Sequence, residues 1–226
     1  MIAIKDLAFE YGGTDFTLRV GELSIEPGMR TALIGPSGSG KTTLLHLIAG
    51  ILVPKRGSIR VANVNLPKLS DAARRNFRIS RIGLVFQDFQ LVEYLNVREN
   101  ILLSFLINGS LRLDAAVRGQ ARLLADSMGL AGKLNRPIGQ LSHGERQRVA
   151  ICRALLPGPK VLLADEPTGD LDPANKRRIV QILFERAEQT SATLIVVTHD
   201  HGLLEGFDRV VDFQAIADSP NANGED

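Results

Sequence analysis

At 226 residues, with 44% hydrophobic residues and a net charge of +2, the chain has ample length for a buried core and the composition of an ordinary globular protein. So small a charge makes no broad electrostatic case for nucleic acid, and the single cysteine, Cys152, excludes an intrachain disulfide and suits a reducing cytosol. The apolar run Leu44 to Val53 is too short to span a bilayer and is interrupted by His46, and the start Met1-Ile2-Ala3-Ile4-Lys5-Asp6 does not follow the plan of a signal peptide.

Ile2 to Leu7 is predicted as a strand, followed by a turn over Phe9 to Gly13. Phe16 to Val20 and Glu22 to Ile25 are predicted as two more short strands. Tyr11 is either a ring placed to stack on a nucleotide base or a half-buried residue at a strand end. Pro27-Gly28 turns the chain into a buried strand, Thr31 to Ile34. The next stretch, Gly35-Pro36-Ser37-Gly38-Ser39-Gly40-Lys41-Thr42, fits G-x-x-x-x-G-K-[ST], and a helix is predicted from Thr43 to Ala49 with Gly50 as its stop. Glycines let successive backbone N–H groups curl around a phosphate with no Cβ in the way. The helix N-terminus adds its dipole to that anion site. In this motif Lys41 reaches the β- and γ-phosphates and the Thr42 hydroxyl holds Mg²⁺.

A strand from Ser58 to Val61 and a short surface helix over Ser70 to Arg75, its arginines solvated, come next. Ile82 to Phe86 is a buried strand ending at Gln87. The pattern then turns helical. Val97 to Leu106 is one helix, and Asp114 caps a second with Val117, Ala121, Leu124 and Met128 on one face and Gly129 as its stop. Phe89, Leu91, Val92, Tyr94 and Leu95 stand at the entrance to this inserted lobe, as core or as a docking surface, with core favoured.

Leu141-Ser142-His143-Gly144-Glu145 precedes a helix predicted over Arg146 to Leu156. Ser142 and Glu145 have the S-x-x-E spacing of a capping box, and the same residues could also form a second anion site at a helix start. Lys160 to Glu166 is a buried strand ending in two carboxylates, Asp165 placed for Mg²⁺ and Glu166 for polarising water. Asp172 can cap the following helix, with Pro173 at its first position. Thr193 to Val197 is another buried strand, leading to His199, and Arg209 to Phe213 is the last strand. His46, His143 and His201 have no metal-ligand spacing.

In this order the motifs resemble the ATP-binding-cassette (ABC) ATPase family over about Ile2 to Phe213. Gly35 to Thr42 matches its Walker A motif, and Val161 to Asp165 its Walker B motif with Glu166 as the catalytic carboxylate. Gln87 matches the Q-loop, Leu141 to Glu145 the signature, Thr168 to Asp172 the D-loop, His199 the switch histidine and Tyr11 the base-stacking A-loop. Val85 to Phe89, Asn96 to Asn100 and Leu163 to Gly169 resemble the group that serves lipoprotein release, macrolide export and cell division. Two residues depart from the pattern: His143 stands where the signature usually has Gly, and Asp170 where this group usually has Asn.

The resemblance implies an α/β fold with a P-loop (RecA-like) core, an N-terminal antiparallel β portion and an inserted α-helical lobe. It implies an ATPase domain over 1–213, with the lobe at about 88–156, and residues 214–226 are expected to be a disordered tail. ATP contacts are implied for Tyr11, for Gly35, Pro36, Ser37, Gly38, Ser39, Gly40, Lys41, Thr42 and Thr43, for Gln87, and for Ser142, His143, Gly144, Glu145 and Asp172. Thr42, Gln87 and Asp165 are implied to serve Mg²⁺, and Glu166, His199 and Lys41 catalysis. Implied partners are a second copy, or a related ABC subunit, in a head-to-tail dimer, and integral membrane permease subunits, with the chain peripheral on the cytoplasmic face and no nucleic acid. Other readings are a soluble ABC ATPase of DNA repair or translation and a small-molecule P-loop kinase.

Overall fold

Two five-stranded sheets organise the chain, and the burial pattern of each set of strands says why. The computed structural model describes residues 1–169 and 171–218. β1 (Ile2–Glu10) buries Ile2, Ile4, Leu7 and Phe9, and β2 (Thr17–Ile25) buries Leu18, Val20, Leu23 and Ile25. Alternation of this kind gives one wet and one packed face. The two strands pair antiparallel from Ile2↔Ile25 to Glu10↔Thr17. The two short strands expected over 16–25 are therefore one, because pairing with β1 keeps the same register on both sides of Gly21. The alternation changes phase at Asp6, whose φ of 49° marks a bulge. Opposite it, a Cβ on Gly57 would stand 2.4 Å from the Asp6 carbonyl oxygen, so glycine is required for this close approach.

β3 (Arg30–Ile34) feeds the phosphate-binding sequence, and α1 (Lys41–Ile48) leaves it. β4 (Arg56–Val61) and β5 (Val64–Asn65) extend the antiparallel sheet. α2 (Asp71–Arg81) runs into β6 (Ile82–Val85). This helix is longer than expected and not all its arginines are solvated. Arg74 donates to the Leu69 carbonyl at 2.8 Å and Arg78 to the Gly50 carbonyl at 3.1 Å, so both are held against the preceding loops.

α3 (Val97–Ile107), α4 (Ala115–Ser127) and α5 (His143–Leu155) form the helical lobe. Asp114 caps α4 by accepting from the Val117 N–H at 3.0 Å, as its spacing predicts. β7 (Val161–Asp165), α6 (Pro173–Thr190), β8 (Thr193–Val197) and β9 (Arg209–Asp212) follow, then α7 (Phe213–Ile216) and β10 (Ala217–Asp218). The expected tail is corrected over 214–218. Asp212 caps α7, Phe213 is buried in the core, and Ala217 pairs with Val20 at the sheet edge. The remainder of that expected tail lies outside the described residues.

The antiparallel sheet has the order β10-β2-β1-β4-β5, and the second sheet, all parallel, the order β6-β7-β8-β3-β9. β7 and β8 are buried along their whole length, as expected of a sheet covered on both faces. One core packs α1 and the antiparallel sheet on one face of the parallel sheet. The other joins α6 and the helical lobe to the opposite face through Leu162, Ala164, Leu194 and Val196. The expected α/β class with an antiparallel portion and a helical lobe is the architecture found.

Candidate active site

The parallel sheet delivers the polar residues to one edge. β3, β8, β7 and β6 run side by side with Leu33↔Val197, Asp165↔Val197 and Val85↔Ala164 in register. The residues just beyond those pairs are Gly35, His199, Glu166 and Gln87, so they leave the sheet at nearly the same level. Ligands of open α/β sheets bind at this carboxyl edge.

Gly35 to Gly40 form the loop between β3 and α1. Gly38 and Gly40 have φ of 77° and 106°, and a Cβ on Gly40 would come within 3.1 Å of the Phe16 ring. Only glycine meets both demands at position 40. Lys41 is buried, and its Nζ donates to the carbonyls of Gly35 at 2.8 Å and Pro36 at 2.6 Å. Burial lowers the Lys41 ammonium below the ordinary lysine range, while Glu166 and Asp165 oppose that shift. Thr42 is exposed beside it, and Thr43 is buried, its Oγ1 3.3 Å from the Tyr11 hydroxyl. Tyr11 packs edge-on against Phe9 at 4.8 Å and tilts against Phe16 at 5.6 Å, which holds its half-exposed ring beside the loop.

Asp165 ends β7, buried. Burial raises its carboxyl above the ordinary range, against the Thr42 hydroxyl, His46 and Lys41. Its Oδ1 has no hydrogen-bond partner among the described residues, nor has the Ser39 Oγ of the loop. Buried polar atoms left without a partner are costly in a native protein, and these two stand together at the loop edge. They fit a bound cation and phosphate.

Glu166 has φ of 45°, a left-handed conformation that costs a non-glycine residue about 1–2 kcal/mol. The turn lifts its carboxylate to 2.8 Å from Nδ1 of His199, which is itself 73% exposed. A carboxylate braced by an imidazole at the mouth of a phosphate-binding edge is equipped to take a proton from water. Gln87 is exposed at the end of β6.

The Ser142 group forms the start of α5. The Ser142 Oγ accepts from the Glu145 N–H at 3.3 Å and the Glu145 Oε2 accepts from the Ser142 N–H at 2.9 Å, a complete capping box. Glu145 Oε1 takes an ion pair from Lys133, so the carboxylate has both oxygens committed to shape. α5 consequently begins at His143, three residues earlier than expected. The His143 ring packs against Phe89 at 4.8 Å and reaches toward Gly169, while Ser142 is exposed and Gly144 is half-buried beside Arg148 and Leu171. Among the described residues no hydrogen bond or ring contact joins this group to the phosphate-binding loop. Asp172 also has both oxygens committed, to Ala174, Asn175 and the Asn175 side chain at the start of α6. Asp170 lies outside the described residues.

Three supporting residues were not singled out in the sequence. Arg153, buried in α5, donates to the carbonyls of Phe89 and Gln90, both left-handed residues of the loop after Gln87. Asn100, wholly buried, bonds the N–H and carbonyl of Val92. Lys133 braces Glu145. The one legible signal was Asn100, a polar residue one turn inside an apolar helix. At the loop that Arg153 and Asn100 hold, Tyr94 is 89% exposed, so the expectation of core fails there, whereas Leu91 packs on the lobe's core.

A family model described as ABC transporter matches residues 18–169. The lipoprotein-releasing system ATP-binding protein LolD of Chromohalobacter salexigens is 41% identical over 190 residues, covering 84% of this chain and 79% of that protein. LolD of Geobacter metallireducens is 39% identical over 224 residues, covering 96% of this chain and 99% of that protein. Among solved structures, the dimeric post-hydrolysis state of the ATP-binding cassette MJ0796 bound to ADP and Pi superposes with a TM-score of 0.84 at 31% identity, covering 94% of each chain. CbiO1 from Clostridium perfringens, part of the ABC transporter complex CbiONQ, superposes with a TM-score of 0.76 at 31% identity, covering 88% of this chain and 78% of that one.

Proposed function

This chain belongs to the ABC transporter family, and from that premise we propose that its strand-end cluster binds ATP with Mg²⁺ and hydrolyses it to drive a membrane partner. The ATPase activity and the role as ATP-binding subunit of a transporter follow from the family and from relatives similar along nearly the whole chain. The observation that carries the catalytic assignment is the Glu166–His199 pair, standing at the sheet edge beside a phosphate-binding loop.

In this reading Tyr11 stacks on the adenine, and Gly35 to Thr43 hold the triphosphate with backbone N–H groups and the Lys41 ammonium. The Lys41 bonds to the Gly35 and Pro36 carbonyls keep that cation inside the loop. Thr42, Gln87 and Asp165 would hold Mg²⁺, and the unpartnered Asp165 Oδ1 supports the fit. When bound, the ion neutralises phosphate charge. Glu166 accepts the proton of the attacking water, and His199 orients that carboxylate and contacts the terminal phosphate. Ser142, His143 and Gly144 face ATP held by the opposite subunit of a head-to-tail dimer, while Glu145 and Asp172 shape the two helix starts. The partner is an integral membrane permease of the lipoprotein-release type, which places the chain on the cytoplasmic face of the membrane. No described helix is long and apolar enough to cross a membrane.

The experiment is MgATP binding and turnover by the purified chain and by Lys41→Ala. The variant should bind ATP more weakly and lose turnover. Hydrolysis at the wild-type rate would remove Lys41 from the site.

A further inference from the structure

The helical lobe carries a second concentration of positive charge that the strand-end cluster does not use. A cleft of about 650 Å³ opens between the start of α3, the middle of α4 and residues 131–136. Arg98, Arg118, Arg122 and Arg136 line it together with Gly119, and no acidic side chain does. Among the described residues, none of these four arginines takes part in an ion pair. Of the acids near them in the chain, Glu99 is spent in the capping box of α3 and Asp114 at the cap of α4, while Asp126, one turn beyond Arg122 on α4, neither lines the cleft nor pairs with an arginine.

Three local choices at this cleft each cost stability. Arg98 stands in the first turn of α3, where the positive end of the helix dipole disfavours a cation. Arg118 and Arg122 are one turn apart on α4, a like-charged pair that opposes the helix. Gly119 lies between them in mid-helix, at a cost of about 1 kcal/mol relative to Ala. A Cβ at 119 would meet nothing within 4 Å, so packing inside the chain does not ask for glycine. Local rules that fail together at one place mark a site under functional constraint. An anion seated between the guanidinium groups would relieve the two electrostatic costs, and the bare Cα of Gly119 would let it approach the helix backbone.

We propose that this cleft binds a phosphate-bearing anion, supplied either as the headgroup of an anionic phospholipid or as a soluble polyphosphate. The guanidinium fork matches phosphate oxygens in pairs, and the cleft has the size of a small-ligand site, about 300–1,000 Å³. The full chain, with excess MgADP to fill the phosphate-binding loop, is tested with two probes at physiological salt. One is sedimentation with phosphatidylglycerol-containing vesicles against phosphatidylcholine alone, and the other is calorimetric titration with tripolyphosphate. At least one probe should bind, and the double variant Arg118→Gln/Arg122→Gln should weaken that binding about 10-fold or more, as loss of charge-assisted contacts does. ATP turnover of the isolated chain should be unchanged. Gly119→Ala should raise the melting temperature and weaken the same binding. A response confined to vesicles assigns the headgroup, and one confined to tripolyphosphate assigns the soluble anion. Binding of neither probe, equal binding by the double variant, or a melting temperature lowered by removing the two arginines would overturn the proposal.

Discussion

Glu166 occupies a left-handed backbone position that glycine would take without strain, yet the chain places a carboxylate there. The strain turns the side chain out of the strand direction and onto His199. Replacing Glu166 by Gln keeps the size and one hydrogen-bond acceptor, and removes the charge that receives a proton. Turnover should fall by at least ~10²-fold, the loss typical of general-base removal, while ATP binding survives. Single-turnover hydrolysis and nucleotide titration separate the two quantities. Wild-type turnover in Glu166→Gln would leave Glu166 a structural turn residue and move the base elsewhere.

The start of α5 shows what a motif does as an element before it does anything to a ligand. Lys133 first, and then the Ser142 N–H, hold the Glu145 carboxyl below the ordinary carboxylate range. A depressed pKa in the folded chain means stability that is present above the unfolded pKa, near 4.5 for this group, and lost as pH falls through the folded value. Because Gln at this position can still accept from the Ser142 N–H, Glu145→Gln loses mainly the Lys133 ion pair and should therefore lower stability at pH 7 by up to about 1 kcal/mol, or about 2–4 °C in Tm for a chain of this size. The gap to wild type should close as pH is lowered, since both side chains are then neutral. Thermal melts across that range decide it, and a gap independent of pH would exclude the ion pair as its source. At this scale the sequence was readable wherever a pattern was local. S-x-x-E announced the cap, glycines announced the phosphate loop, and continuous apolar runs announced β7 and β8. It was not readable where long-range pairing decided the outcome. Ala217 joins a sheet edge whose partner, Val20, is nearly two hundred residues earlier, and Phe213, expected to end the last strand, is buried instead as the first residue of α7. The orientation of Glu166 depends on a backbone angle that no spacing encodes.

The whole molecule presents two surfaces that one copy leaves unsatisfied. The first is the loop after Gln87, pinned from inside by Arg153 and Asn100 while Tyr94 projects almost fully into solvent. A rigid loop with an exposed aromatic suits a docking helix of the membrane subunit. Tyr94→Asp should reduce capture of that subunit from detergent-solubilised membranes and spare the ATPase of the isolated chain; loss of folding by circular dichroism would instead make Tyr94 structural. The second surface is the exposed start of α5 at Ser142 and His143. A triphosphate cradled by the loop before α1 has no use for a second helix N-terminus on its own chain. A head-to-tail pair would give each ATP one loop and one α5 start from opposite chains. Lys41→Ala and Ser142→Arg should each be inactive alone. When they are mixed, one site of the heterodimer carries both defects and the other carries none, so part of the ATPase activity should return. The control puts both substitutions in one chain and mixes it with wild type. Each site of that heterodimer then has one defect, so it should add nothing to the activity of the remaining wild-type dimers. If subunit exchange is confirmed and the first mixture stays inactive, each site is complete within one chain, and the Ser142–Glu145 box is a helix cap and nothing more.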